Sequence, residues 1–224
     1  MASWSLIAGA VANTAFLLEG YLGARLDRTV SFVSELGARG EPNADFFRLS
    51  DIVAGSLLLI GAIAAAGVLP RNLALRAGIA SAAAFAALTF IDGFLPLDCA
   101  PTIDPVCRAA EDAGTVSWQH AAHNLTGVLE GILAPTALLL IAVGSWQLRR
   151  RRQLPPEWEA QWQLLTVIGV LYLVLSGVIS VMYLTQTEGV GLWQRLQIVL
   201  YAAAMFTLGL VIRNLRDHTE DGGP

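Results

Sequence analysis

The stretch VSWQHAAHNLTGVLEGILAPTALLLIAVGSWQLRRRR, residues 116–152, holds one whole membrane crossing and the signals at both of its ends. From 122 to 145 it is apolar but for a few polar residues, and roughly 20 mostly apolar residues suffice to cross a bilayer as a helix. Four arginines, Arg149 to Arg152, close it, and His120 and His123 open it. An arginine run beside a span marks its cytoplasmic end. Working outward, five further stretches qualify, at about 4–24, 50–69, 75–97, 163–184 and 189–213. The predicted fold is an all-α integral membrane bundle of six transmembrane helices, one domain over residues 1–224.

Composition supports this. The chain is 55% hydrophobic and 14% charged, with a mean hydropathy of +0.58. Soluble domains carry about 25% charged residues. The first stretch lacks a basic leader region and a cleavage site, so it is expected to be a retained helix rather than a signal peptide. All fourteen basic residues are arginines. Arg71, Arg76, Arg149–Arg152, Arg213 and Arg216 fall in alternate connections and the C-terminal tail, while 25–49, 98–119 and 185–188 are balanced or acidic. That asymmetry predicts both termini in the cytoplasm and those three segments outside. Cys99 and Cys107, the only cysteines, share one outward segment, CAPTIDPVC. An oxidising compartment favours a disulfide there, with two free thiols or a metal pair as the alternatives. The tight turn at 69–72 and the Pro155-Pro156 break link inward helix ends. A net charge of −4 and the lack of any nucleic-acid motif speak against a nucleic-acid partner.

Ionisable residues inside spans mark function by default. Glu19, Asp51, Asp92, His120, His123, Glu130, Arg195 and Gln197 all fall in the outer half of their predicted helices. Positions 120, 123, 127 and 130 share one stripe, so both histidines, Gly127 and Glu130 should face a common outward-opening polar pocket with Asn124 beside them. Three readings of the histidine pair stay open. His120 and His123 could hold zinc, completed by Asp51, Asp92 or Asp98. Histidine and acid could instead act as a metal-free acid–base pair. Both histidines could simply bond loop carbonyls, with Asp51 capping its helix after Ser50. In the zinc reading a metal-bound water attacks a lipid or amphipathic substrate at the outer leaflet, with Glu130, Glu19 and Ser34 as catalytic groups. Arg48, Asn124, Arg195 and Gln197 would bind the substrate. The competing functions are non-catalytic binding or transport, and an accessory role beside membrane protein partners or a second copy. The segment containing VSELGA and FFRLSD should fold over the pocket mouth, in part as a short surface helix.

The combination of VSELGARGEPNADFFRLSD, DGFLPLDC and SWQHAAHN resembles the domain of unknown function 998 family of bacterial and archaeal membrane proteins. The resemblance implies a six-helix fold in a prokaryotic plasma (inner) membrane. In outline such proteins are similar to the eukaryotic Frag/DRAM/Sfk group, which implies lipid handling. A more distant likeness to the membrane hydrolases that include alkaline ceramidases implies zinc chemistry. The chain departs from those in having six expected spans instead of seven and no third pocket histidine, since His218 lies in the tail.

Overall fold

The computed structural model describes residues 1–153 and 158–221, the side chains of 159 and 215–221 excepted. The Pro155-Pro156 break and the side chains of Arg216 and His218 lie outside the described residues. The helices are α1 (Ala2–Ala12), α2 (Ala44–Val68), α3 (Leu73–Asp92), α4 (Pro105–Asp112), α5 (Trp118–Arg150), α6 (Trp158–Leu184) and α7 (Val190–Asp221), with short 3-10 turns at Ala15–Leu18 and Val33–Gly37. Five of these, α2, α3, α5, α6 and α7, are long and apolar enough to cross a membrane. The protein is a multi-pass membrane protein.

The first predicted span differs. Residues 4–24 are apolar, but α1 ends at Ala12, where the Thr14 hydroxyl donates to the Val11 carbonyl at 2.8 Å. A 3-10 turn follows, then Gly23 in the left-handed region at φ +66°. Hydropathy reads burial in lipid and is blind to this change in hydrogen bonding. The physical cause lies at Glu19, whose carboxylate is drawn to Arg195 on α7. A second difference concerns α2, which starts at Ala44 rather than 50. Asp51 therefore sits two turns inside the helix and does not cap it, while the Ser50 hydroxyl turns back to the Phe47 carbonyl at 2.6 Å. Of the expected surface helix at 25–49, only the short turn at Val33–Gly37 forms outside α2.

Sequential helices pack as neighbours in the order α1, α2, α3, α5, α6, α7, and α7 returns to α1 to close the ring. Small residues allow the backbones to approach, as is usual where lipid supplies no hydrophobic drive between helices. A Cβ at Gly55 would lie 2.4 Å from the Phe90 nitrogen, and one at Gly144 2.5 Å from the Leu75 nitrogen. Leu75, Leu138, Ile141, Leu165 and Met205 fill the ring's centre. Ile63, Val128, Ile132, Val174 and Val181 stay exposed on its outside, where lipid would cover them.

Pro135 lies within α5 and cannot donate to the Gly131 carbonyl four residues back. That carbonyl accepts from the Ser176 hydroxyl on α6 at 3.3 Å, and Ser176 in turn accepts from Gln197 on α7 at 2.7 Å. Re-satisfying a backbone group freed by proline is what lipid surroundings require.

Candidate functional site

Two of the segments predicted to face outward, 25–49 and 98–119, meet at one end of the ring and form a lid with the start of α7. In the turn Val33–Gly37, Glu35 is fully buried. Its carboxylate accepts the Phe32 N–H at 3.1 Å, the Thr102 N–H at 2.9 Å, and the Thr102 hydroxyl. Thr102 lies within the ring closed by the Cys99–Cys107 disulfide. Burial pushes the Glu35 carboxyl up to about 7, against the lowering effect of these bonds. The start of α7 joins them: the Gly191 N–H donates to the Thr29 carbonyl at 3.1 Å and Gln194 Oε1 accepts from the Val33 N–H at 2.7 Å.

Arg195 anchors the lid to α7. It makes a two-point contact with Glu19, Nε to Oε1 at 3.1 Å and Nη2 to Oε2 at 2.7 Å. Its Nη1 donates to the carbonyls of Arg28, Ser31 and Gly191. Both residues, expected to act on a substrate, are thus engaged with each other. Arg48 is similarly engaged, donating to the Gly37 carbonyl at 3.0 Å and pairing with Asp45. It borders a shallow surface cleft of about 520 Å³ with Arg39, Glu41 and Phe46. Ser34 is half-buried and, among the described residues, has no side-chain partner.

Beneath the lid the two histidines separate. His120 is fully buried. Its Nδ1 accepts the Asp98 N–H at 3.2 Å, which leaves its proton on Nε2 facing Glu111 Oε2 at 3.2 Å. Glu111 also accepts from the Tyr183 hydroxyl at 2.7 Å. Partial burial pushes the Asp98 carboxyl up. The Ser117 N–H and hydroxyl, with Arg39 and His120 near, outweigh that and hold it below the usual carboxylate range. His120 therefore belongs to the lid, and its acids are Asp98, one of the three the sequence offered, and Glu111, which the sequence did not single out, while Asp51 and Asp92 do not pair with it. His123 points deeper. Its Nδ1 meets the Leu95 carbonyl at 2.9 Å and lies 3.8 Å from Asp92 Oδ1. A carbonyl only accepts, so the proton sits on Nδ1.

Asp92 accepts from the Thr126 hydroxyl, and Glu130 accepts from Thr89 at 2.6 Å. Asp51, Asp92 and Glu130 lie within electrostatic reach of one another, and Tyr172 and Tyr201 within reach of Glu130. Each of α2, α3, α5, α6 and α7 thus sends at least one group to this cluster. Sequence reasoning found the three acids and missed Thr89, Thr126 and both tyrosines, because it searched the spans for charge and these carry none. Asn124 is half-buried without a side-chain partner among the described residues, and Gln197 is bound to Ser176 and the Tyr172 carbonyl.

The cluster borders open space. Residues seven and eleven apart share a helix face, and α5 carries Gly127, Ala134 and Leu138 on one. Ala134 and Leu138 are completely buried in the core. Two turns nearer the lid, Gly127 is exposed, and a Cβ there would meet no atom within 4 Å. The inner face that is packed solid below is therefore open at Gly127, between His123 and Glu130.

The donors do not fit zinc. Among the described residues no three His, Cys, Asp or Glu side chains gather closely enough to hold a metal ion, and both nitrogens of His120 are already bonded.

The chain belongs to the family described as "Protein of unknown function (DUF998)", whose model matches residues 6–211, nearly its whole length. No curated protein and no solved structure matches it.

Proposed function

We propose that this member of the DUF998 family is a non-catalytic binding or transport protein of the plasma membrane of a prokaryote. It takes the polar part of a lipid or other small amphipathic molecule into the ring at Gly127, under the lid. The lid faces the extracytoplasmic side and both termini lie in the cytoplasm, which makes the shorter apolar stretch Ala2–Leu18, α1 with its 3-10 turn, the sixth crossing. Support for that orientation comes from the arginines at the opposite helix ends and from the disulfide in the lid.

One observation carries the reading: inward-facing open space at Gly127, in the part of the ring where five helices contribute polar groups. A bundle built only for stability would fill that position, since unfilled space forfeits packing contacts. Metal-dependent hydrolysis, expected from the sequence, has no comparable support in the placement of His120, His123, Asp51 and Asp92.

The test is mass spectrometry of molecules retained by the purified protein, compared with Gly127→Leu. Binding at Gly127 predicts a molecule held by the native chain and lost from the variant. Equal retention by both would place the binding elsewhere. Turnover of lipid esters by the native chain would replace binding with hydrolysis.

A further inference from the structure

The surface cleft at the start of α2 is built by a reversal of the chain. Gly40 and Asn43 both take the left-handed conformation, at φ +85° and +58°, and the segment turns back so that Arg39 and Glu41 line one cleft with Asp45, Phe46 and Arg48. Three hydrogen bonds fix the reversal. The Arg39 N–H donates to the Leu97 carbonyl at 2.9 Å, Asn43 Nδ2 to the Leu22 carbonyl at 2.6 Å, and Arg48 Nη1 to the Gly37 carbonyl at 3.0 Å. The cleft's volume of about 520 Å³ lies within the range of small-molecule sites, roughly 300–1,000 Å³.

Its charges are of both signs and only partly used. A guanidinium carries five N–H donors. Arg39, its side chain 48% exposed, gives one to Asp98, and Arg48 gives one each to Gly37 and Asp45. Glu41 has no side-chain partner among the described residues, and the Asp45 side chain, 93% exposed, is free to leave Arg48. Two arginines and two acids leave the cleft neutral, which suits a ligand that carries both charges and disfavours a simple anion.

The setting adds an apolar requirement. The cleft sits where α2, long and apolar enough to cross a membrane, begins. Phe46 lines it, and Leu49, Val53, Ile60 and Ile63 continue from Phe46 along one exposed face of the helix. A molecule seated here has charge at its head and hydrocarbon along its length.

We propose that the cleft binds the headgroup of a phospholipid in which a phosphodiester is joined to a primary ammonium. Arg39 and Arg48 hold the phosphate, whose oxygens match a guanidinium fork. Glu41 and Asp45 accept from the ammonium N–H groups. A quaternary ammonium has no such donor and calls for a cage of aromatic rings, whereas the cleft offers one ring, Phe46. The acyl chains follow the face from Phe46 to Ile63. This site lies outside the ring and does not rest on binding at Gly127.

The test is native mass spectrometry of the purified full chain in detergent, titrated with dioctanoyl phosphatidylethanolamine, phosphatidylcholine and phosphatidylglycerol. The ethanolamine lipid should bind about fivefold more tightly than either of the others, the scale of one half-exposed charge pair. Glu41→Gln with Asp45→Asn should abolish that preference and make phosphatidylglycerol the tightest ligand. Arg39→Gln should weaken all three; should it loosen the lid through Asp98, Glu41→Gln alone carries the comparison. Equal binding of the three lipids by the native chain, or a preference that survives the loss of both acids, overturns the inference. Glycerophosphoethanolamine, the headgroup without chains, should not compete at the lipid's own half-saturating concentration. Competition there would make the occupant a soluble zwitterion and overturn the lipid. Gly127→Leu should leave the titration unchanged, and loss of binding in that variant would move the lipid into the ring and remove this site.

Discussion

Glu35 and Thr102, 67 residues apart, are joined by two hydrogen bonds, so the disulfide ring is fastened to the turn that follows the first helix. The fastening depends on protonation. Folding raises the Glu35 carboxyl from 4.5 to about 7, with Thr102, Phe32 and Glu111 as the groups that face it. The folded state thus binds the proton more tightly than the unfolded one. Its contribution is fully present below about 4.5 and is lost as pH rises through about 7. Amide protection at Thr102, corrected for intrinsic exchange, should fall between pH 5 and pH 8. In Glu35→Gln it should not change with pH.

The disulfide restrains the same ring. Closing a loop this short stabilises by roughly 2–3 kcal/mol. Cys99→Ser with Cys107→Ser should lower the melting temperature and release protection at Thr102 first. In intact cells, impermeant thiol reagents should label the native cysteines only after reduction. Labelling that requires opened cells and no reductant would reverse the orientation.

Arg195→Ala should be among the most damaging substitutions, costing about 3–5 kcal/mol, because it strands the buried Glu19 carboxylate. Pairing it with Glu19→Gln should recover part of the loss in a thermal melt. Additive losses in the double variant would show that the pair is not coupled.

His120 already uses both ring nitrogens. Zinc should therefore bind without saturation and give no rise in melting temperature. His120→Ala should loosen the lid, seen as faster exchange at Asp98 and Tyr183. A saturable zinc site lost in that variant would restore the metal reading.

The membrane helices were legible because hydropathy follows lipid exposure directly: the span at 163–184 lies within α6, and that at 189–213 starts one residue before α7. The break after Ala12 within residues 4–24 was not legible, because the same apolar content serves a helix and a 3-10 turn. The stripe of His120, His123, Gly127 and Glu130 was correct as helix geometry. Its division was not readable, since His120 is claimed by Asp98 and Glu111 on a segment whose path no periodicity records. Tyr172 and Tyr201 were invisible for a simpler reason: an uncharged aromatic in a span looks like any other core residue.

The central claim, an inward polar space at Gly127, has a direct measurement. Both native cysteines are bonded, so Gly127→Cys and Val128→Cys each introduce a single free thiol. Thiols react as thiolates, which form in water and not in lipid. The two rates with a small water-soluble methanethiosulfonate should differ at least tenfold in favour of position 127. An inert thiol at 127, or one at 128 that reacts as fast, would contradict the account.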